Sequence, residues 1–279
     1  MTAPIYPCIW FDGNAKEAAE FYCSVFSNSK ITTENPMVVM FELCGKPVMG
    51  LNGGPQFTVN PSISFFILCE TKEKTTEIWN KMTEGSKVMI PFGKQPWSEL
   101  YGWLQDKYGV TWQIAINDKE AGKQTLTPSF LFTRDQFGRA EEAVKFYTSL
   151  FKNSGTDFML HYPQGDANAG KVMYSEFNLG GYKLIAMDGP GEHGYSFNEG
   201  VSFVISCEDQ KEIDYFWNHI IADGGAESMC GWCEDKFGVF WQVIPHNIGA
   251  IFGHPEKGQK SIQAMLKMKK LDIEKLVNP

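Results

Sequence analysis

Residues 13–29 read GNAKEAAEFYCSVFSNS, and residues 138–154 read GRAEEAVKFYTSLFKNS. From Ala15 to Ser29, 9 of 15 positions are identical to the positions 125 residues further along the chain. This separation is too long for one unit of a solenoid, and it matches the size of a whole domain. The sequence therefore predicts a tandem duplication.

A second block supports the duplication, because GWLQDKYGVTWQ at residues 102–113 returns as GWCEDKFGVFWQ at residues 231–242. Between the two blocks of each repeat, apolar runs and helical stripes follow the order β-α-β-β-β twice. The polar segment 118–127 separates the repeats and places the domain boundary between Asn117 and Thr127. These observations predict an α+β protein with domains at 1–125 and 126–248, followed by a helical tail at 249–279.

The helices that open the two repeats carry apolar residues at the spacing of an amphipathic helix. Small alanines on such a stripe let a helix lie close to a sheet. We therefore predict that both stripes belong to the core and not to a functional site. The predicted core positions are Ala15, Ala18, Ala19, Tyr22 and Phe26 in the first repeat, and Ala140, Ala143, Val144, Tyr147 and Phe151 in the second.

Composition narrows the classes of function. Of the 279 residues 43% are hydrophobic, and the net charge of −8 argues against a nucleic-acid or anionic-membrane partner, since binding phosphate needs a basic surface. The N-terminus shows no signal-peptide pattern, and no apolar run approaches the length of a membrane span. Seven scattered cysteines do not resemble a secreted disulfide framework. We expect a cytoplasmic protein.

Several short motifs favour structural explanations. Residues 189–194 match G-x-G-x-x-G, but no helix is predicted directly after them, so a loop is expected. Cys230 and Cys233 match C-x-x-C without a helix N-terminus to activate them, and ordinary thiols are expected. Asp106 and Asp235 occupy turn positions, where aspartate usually binds its own backbone. The five histidines lie scattered in the second half and form no metal-binding motif.

The repeated Trp-Gln pair is the most informative polar feature of the predicted strands. Strand alternation sends Trp112 and Gln113 to opposite faces of the sheet, and likewise Trp241 and Gln242. If the tryptophans pack against helices, each glutamine needs hydrogen-bond partners or a polar cavity on the other face. A glutamine bonded to neighbouring structure and a glutamine that contacts a ligand both remain open.

Together these motifs resemble the PhnB-like branch of the vicinal oxygen chelate (VOC) superfamily, whose members often carry the label "demethylubiquinone methyltransferase-like". That superfamily also includes glyoxalase I, extradiol dioxygenases and bleomycin- and fosfomycin-resistance proteins. The resemblance implies two tandem VOC domains, each made of two βαβββ modules curled around a bowl. In metal-using members the bowl holds a divalent ion on four residues, often two His and two Glu.

Carried over to this sequence, the ligand positions hold neutral residues that are poor substitutes for imidazole and carboxylate. The strand ends at 48–51 and 184–187 offer no carboxylate either. The resemblance therefore implies a protein without the superfamily metal and without another cofactor. The positions are Pro7, Ser64 and Gln113 in the first repeat, and Pro128, Ser202 and Gln242 in the second.

Three functions remain open. The first is a small-molecule binding protein, since apolar bowls with few polar groups are typical ligand pockets. The second is a lyase, isomerase or dioxygenase with atypical metal ligands or with no metal, and the third is a scaffold with one bowl filled by its own side chains. A methyltransferase is disfavoured, because no glycine-rich strand-to-helix turn is available for S-adenosylmethionine.

The first function assigns residues to the two bowls and leaves the catalytic residues unassigned. The predicted ligand-binding residues are Ile9, Ser64, Phe66, Thr111 and Gln113, with Phe130, Ser202, Val204, Phe240 and Gln242. The expected partner is a small-molecule ligand, and the chain is expected to be a monomer with pseudo-dimeric domains or a homodimer.

Overall fold

The computed structural model describes residues 4–117 and 123–279. It contains four modules of similar build and a helical tail. Module 1 contains β1 (Ile5–Phe11), α1 (Ala15–Val25), β2 (Lys30–Glu34), β3 (Val38–Leu43) and β4 (Lys46–Asn52). Module 2 contains β5 (Ile63–Cys69), α2 (Lys72–Thr83), β6 (Lys87–Gln95), β7 (Ser98–Gln105) and β8 (Thr111–Ile116).

The second repeat follows the same order. Module 3 contains β9 (Thr125–Phe132), α3 (Ala140–Leu150), β10 (Gly155–His161), β11 (Val172–Leu179) and β12 (Tyr182–Asp188). Module 4 contains β13 (Val201–Cys207), α4 (Gln210–Ile220), β14 (Ala226–Glu227), β15 (Trp232–Glu234) and β16 (Phe240–Pro245). The tail contains α5 (Ile248–Phe252), α6 (Gly258–Met265) and α7 (Ile273–Val277). The predicted α+β class and the βαβββ modules are confirmed.

The strands form two mixed sheets of eight strands each. Modules 1 and 4 form one sheet, in the order β14-β15-β16-β13-β1-β4-β3-β2, which we call the 1/4 sheet. Modules 2 and 3 form the other, in the order β10-β11-β12-β9-β5-β8-β7-β6, which we call the 2/3 sheet. In both sheets the modules join through their first strands, with Pro7 opposite Phe203 in one and Pro128 opposite Phe65 in the other.

This pairing corrects the expectation that each repeat closes a bowl of its own. Modules 1 and 2 belong to one repeat but lie in different sheets. The strand sequences alone do not distinguish the two arrangements, because β5 (ISFFILC) and β13 (VSFVISC) offer nearly the same edge to a first strand.

The connection between modules 2 and 3 gives a physical reason for the observed arrangement. Ile116 at the end of β8 pairs with Cys69, and Thr125 at the start of β9 pairs with the adjacent Leu68. Strands β8 and β9 therefore lie on either side of β5, and chain ends this close together can be joined at little entropic cost. The predicted boundary segment falls partly on residues 118–122, which lie outside the described residues.

Helices α1 to α4 cover one face of each sheet, which we call the helix face, and the opposite face is called the bowl face. Both predicted helix stripes are buried in one continuous core on the helix faces, as expected. Trp112 lies in this core against Tyr22 and Phe26, with ring centroids 4.9 Å away in both cases. The condition set for Gln113 is therefore met, because Trp112 packs on the helices and Gln113 points to the bowl face.

A buried carboxylate fixes each repeat internally. Asp106 Oδ2 accepts hydrogen bonds from the Tyr22 hydroxyl at 2.7 Å and from the Trp112 indole N–H at 2.8 Å. Its Oδ1 accepts the backbone N–H groups of Tyr108 and Val110. Because Tyr22 belongs to the 1/4 sheet's helix α1 and Trp112 to the 2/3 sheet, the carboxylate joins the two sheets.

Asp235 repeats this arrangement with Tyr147 and Trp241, both at 2.8 Å. Burial raises the pKa of both aspartates, while the four hydrogen bonds that each accepts act in the opposite direction. The predicted turn role of these residues is confirmed, and the structure adds the bonds to the aromatic side chains.

Within residues 4–117 and 123–279, no helix has the length and apolar character needed to cross a membrane.

Replacing Asp106 by Asn should destabilise the fold by about 3 kcal/mol, because the amide nitrogen cannot accept the two aromatic donors. Urea unfolding followed by fluorescence would measure this loss. Tyr22→Phe should cost clearly less in the Asp106→Asn background than in the wild type. The control is Asp12→Asn at an exposed position, and equal losses at positions 12 and 106 would refute the role of the carboxylate.

Candidate ligand-binding site

Four side chains form a row across the bowl face of the 2/3 sheet, one from each of β9, β5, β8 and β7. Ser129 stands opposite Ser64, and Gln113 stands opposite Trp103. The middle pair is joined because the Gln113 amide Nε2 donates to Ser64 Oγ at 2.8 Å. We call these four residues the polar row. Since neighbouring strands lie about 4.8 Å apart, the row spans about 14 Å along the sheet.

The amide of Gln113 is satisfied on both sides by the protein. Its Oε1 accepts the hydroxyl of Tyr101 at 2.7 Å, and burial raises the pKa of Tyr101 so that the hydroxyl remains a donor. Of the two explanations for this glutamine, the structure therefore supports bonding to neighbouring side chains. A contact from Gln113 to a ligand stays a prediction.

The two ends of the row differ from its middle. Ser129 is fully buried and its Oγ has no hydrogen-bond partner, and the buried Nε1 of Trp103 has none either. Only four buried side-chain nitrogen or oxygen atoms lack a partner in the described part of the chain, and these are two of them. A buried polar atom without a partner costs free energy, so the bowl face of the 2/3 sheet has donors to offer.

The 1/4 sheet carries an equivalent row made of Cys8, Ser202, Gln242 and Trp232. Cys8 stands opposite Ser202, Trp232 stands opposite Gln242, and Gln242 Nε2 donates to Ser202 Oγ at 3.0 Å. Cys8 replaces Ser129, and burial raises the pKa of its thiol to about 12. The duplication has thus preserved the Ser–Gln pair in both sheets.

The C-terminal tail covers the bowl face of the 1/4 sheet. The tail is anchored at the sheet edge, where the N–H of Cys230 donates to the carbonyl of Met268 and the N–H of Gly231 donates to that of Lys269. Its apolar side chains form a separate buried cluster with this face. The cluster contains Cys8, Met49, Val204 and Ile244 from the sheet, and Ile251, Leu271 and Leu276 from the tail.

Most predicted site residues lie on the bowl faces, but no single site collects them. Ser64, Phe66, Thr111 and Gln113 lie on the 2/3 sheet, and Ser202, Val204, Phe240 and Gln242 lie on the 1/4 sheet. Thr111 donates its hydroxyl to the Ile63 carbonyl. Val204 is buried under the tail.

Ile9 and Phe130 lie on the helix face, so the prediction that they line the bowls is wrong. Both are fully buried in the helix-face core, and the ring of Phe130 lies 5.0 Å from that of Phe203. The error is one of strand alternation, because a shift by one residue moves every side chain to the opposite face. For the same reason Cys8 and Ser129, not Pro7 and Pro128, occupy the first-strand position of the bowl.

Tyr101 and Trp103 are not among the predicted site residues, although the sequence contains a signal for them. The turn Asp106–Gly109 is repeated in the second copy, and a hairpin centred on it places residue 103 opposite residue 113. The repeated Gly-Trp before the turn marks the same position in both copies. Alternation then adds Tyr101 to the same face.

The residues at the implied metal positions do not fit a metal ion. In the 2/3 sheet the four positions correspond to Ser129, Ile185, Ser64 and Gln113, and an isoleucine contributes no donor atom. Hydroxyl and amide oxygens without a carboxylate, imidazole or thiolate are weak ligands for the metals of this superfamily. Across residues 4–117 and 123–279, no group of three His, Cys, Asp or Glu side chains is placed to hold a metal.

The remaining motifs have the structural roles that were expected. Residues 189–194 form the connection from β12 towards β13 and open no helix. All seven cysteines are free, and burial raises the pKa of both Cys230 and Cys233. A raised pKa keeps a thiol protonated and unreactive.

Two eight-stranded sheets assembled from βαβββ modules define a fold that is shared with solved glyoxalase structures. Glyoxalase I from Zea mays has this fold, with a TM-score of 0.56 and 12% identity over 87% of this chain and 92% of that chain. The PhnB protein from Bacillus cereus, described as a putative 3-demethylubiquinone-9 3-methyltransferase, is 31% identical over 39% of this chain and 96% of its own, with a TM-score of 0.38. Protein PA1353 from Pseudomonas aeruginosa is 20% identical over 40% of this chain and 96% of its own, with a TM-score of 0.36.

A comparison with models of protein families shows the family to which this chain belongs. The model of the family described as 3-demethylubiquinone-9 3-methyltransferase matches residues 3–115 and again residues 124–244. The chain therefore belongs to this PhnB-like family, in two tandem copies. No curated protein matches the sequence.

Leu271→Ala should loosen the tail and destabilise the protein by about 2–5 kcal/mol, since Leu271 is fully buried against the 1/4 sheet. The same change should raise the labelling of Cys8 by iodoacetamide, measured by mass spectrometry of peptides, because Cys8 lies beneath the tail. Lys270→Ala, at the neighbouring position, is the control. Unchanged stability and unchanged Cys8 labelling in Leu271→Ala would contradict the covering role of the tail.

Proposed function

We propose that this protein binds a small, largely apolar molecule on the bowl face of the 2/3 sheet, without the metal ion of other VOC proteins. The observation that carries the proposal is the difference between the two bowl faces. The tail buries part of the 1/4 bowl face with Ile251, Leu271 and Leu276, whereas Trp97 at the rim of the 2/3 bowl face stays strongly exposed; partly exposed aromatic side chains occur on both faces.

The exposed side chains are those that an apolar ligand would need. Trp97 is 65% exposed and lies with its ring centroid 5.6 Å from that of Tyr101. The Tyr101 ring in turn lies 6.1 Å from the ring of Phe66. Tyr101 is buried and Phe66 is half-buried, so Trp97 is the aromatic side chain left in water that a ligand would bury.

The opposite edge of the same sheet is also apolar. Phe158 and Leu160 on β10 are 49% and 42% exposed, and Phe158 stands opposite Glu176 on the bowl face. In the 1/4 sheet the residue equivalent to Phe158 is Thr33, which stands opposite Met40 and is polar. The apolar rim thus belongs to the sheet whose bowl face the tail leaves uncovered.

Methyl transfer, which the family name suggests, receives little support from this chain. The four strand-to-helix connections before α1 to α4 contain at most one glycine each, so none resembles the glycine-rich turn of a Rossmann-type cofactor site. Glyoxalase-type chemistry would need a metal or a charged catalytic group, and the polar row supplies neutral side chains. Binding is therefore the function that we propose.

The proposal predicts saturable binding of one equivalent of Nile red, a neutral apolar dye, measured by its fluorescence. Thr127 stands opposite Phe66 on the bowl face, so Thr127→Trp should fill the space and weaken binding by tenfold or more. The matched control is Tyr6→Trp, the equivalent position on the covered 1/4 sheet, which should leave binding unchanged. Thermal unfolding would verify that both variants fold. Equal effects of the two variants, or no saturable binding by the wild type, would contradict the proposal.

The proposal also predicts that protein purified without a histidine tag carries no stoichiometric zinc, nickel, iron or manganese by mass spectrometry of the metals. The physical reason is the neutral donor set of both rows. A full equivalent of metal that is lost in Gln113→Ala or Gln242→Ala would refute the proposal and favour a metalloenzyme. Because Gln113 bonds both Ser64 and Tyr101, the stability of its variant must be measured in parallel.

A further inference from the structure

The chemistry of the polar row narrows the class of ligand, and this inference rests on the proposed function. The Trp103 indole nitrogen can only donate a hydrogen bond, and it is buried without an acceptor. At the other end of the row, the Ser129 hydroxyl is also buried without a partner. The groups left unpaired on this face therefore include two donors, one at each end of the row.

The central side chains of the row do not compete for these donors. The Gln113 Oε1 accepts a hydrogen bond from the Tyr101 hydroxyl, and its Nε2 donates one to Ser64 Oγ. The register places Trp103 beside Gln113 and Ser129 beside Ser64, so the unpaired donors flank a pair that is already bonded. A ligand that displaces the atoms now burying these two donors would meet a bonded centre and an unpaired donor at each end of the row.

The polar row supplies no counter-charge for an anion. The polar row contains no charged side chain, and Glu176 stands opposite Ile185, which itself stands opposite Ser129. The Glu176 carboxylate accepts the Tyr174 hydroxyl at 2.8 Å. Lys183, two residues before Ile185 on the same face of β12, offsets this carboxylate, so the argument against an anion is that the row itself supplies no cation; the net charge of −8 acts in the same direction.

We propose that the ligand is a neutral, flat, largely apolar molecule with a carbonyl-type oxygen that accepts a hydrogen bond from Trp103 or Ser129. The aromatic side chains around the row bury its rings. The donors at the ends of the row select an oxygen acceptor over a plain hydrocarbon. The absence of a cationic side chain in the row selects a neutral oxygen over a carboxylate or a phosphate.

Three probes of one ring system test this selection, with equilibrium dialysis as the measurement. Fluorene is the hydrocarbon, 9-fluorenone adds one carbonyl oxygen, and fluorene-9-carboxylate adds a negative charge. The wild-type protein should bind 9-fluorenone about tenfold more tightly than fluorene, the advantage expected of one or two hydrogen bonds to a neutral acceptor. Fluorene-9-carboxylate should bind more weakly than both.

Two conservative variants then locate the donors. Trp103→Phe keeps an aromatic ring and removes the N–H, and Ser129→Ala removes the hydroxyl. Each should reduce the preference for 9-fluorenone over fluorene, and the double variant should bring the ratio close to one; the readout is this ratio and not the affinity for fluorene. Trp232→Phe, at the equivalent position of the 1/4 sheet, is the matched control and should keep the ratio of the wild type.

The outcomes separate this inference from the proposed function. If fluorene and 9-fluorenone bind equally well and Thr127→Trp weakens both, the site exists and the inferred acceptor is wrong. If fluorene-9-carboxylate binds as tightly as 9-fluorenone, the inferred neutrality is wrong. If none of the three probes is retained by the wild type, both the inference and the proposed function are refuted.

Discussion

Each repeat of this protein depends on one buried carboxylate that accepts four hydrogen bonds. Asp106 and Asp235 each take two backbone N–H groups from their own turn, and a tyrosine hydroxyl and a tryptophan N–H from two other elements. A buried charge is tolerated only when its hydrogen-bonding capacity is used. The helix, the turn and the last strand must therefore keep fixed positions, and the two repeats keep the same ones.

This constraint divides each sheet into two faces with different roles. The tryptophan that reaches the aspartate lies on the helix face, so the adjacent glutamine lies on the bowl face. The helix faces of the two sheets merge into one core, which leaves the bowl faces for other uses. The C-terminal tail covers the bowl face of the 1/4 sheet. This agrees with the hypothesis that one bowl is filled by side chains of the protein itself.

Much of the architecture follows from the sequence. The duplication, the module order and the buried helix stripes could be predicted because they rest on local periodicity and on identity between repeats. The pairing of modules across repeats could not, because β5 and β13 present nearly identical edges. The face of β1 and β9 was misjudged, as Ile9 and Phe130 show, since uniformly apolar strands carry no alternation to read. The unpaired ends of the polar row depend on which strands become neighbours, so Ser129 could be recognised only from the sheet.

The central claim is that the two bowl faces have different roles, one covered by the tail and the other free to bind a ligand. A crystal structure of the protein grown with 9-fluorenone tests this claim most directly. The account predicts one bound molecule on the 2/3 sheet, with its oxygen within hydrogen-bond distance of Trp103 or Ser129, and the tail in place on the 1/4 sheet. A molecule bound beneath a displaced tail, with the 2/3 sheet unoccupied, would contradict it.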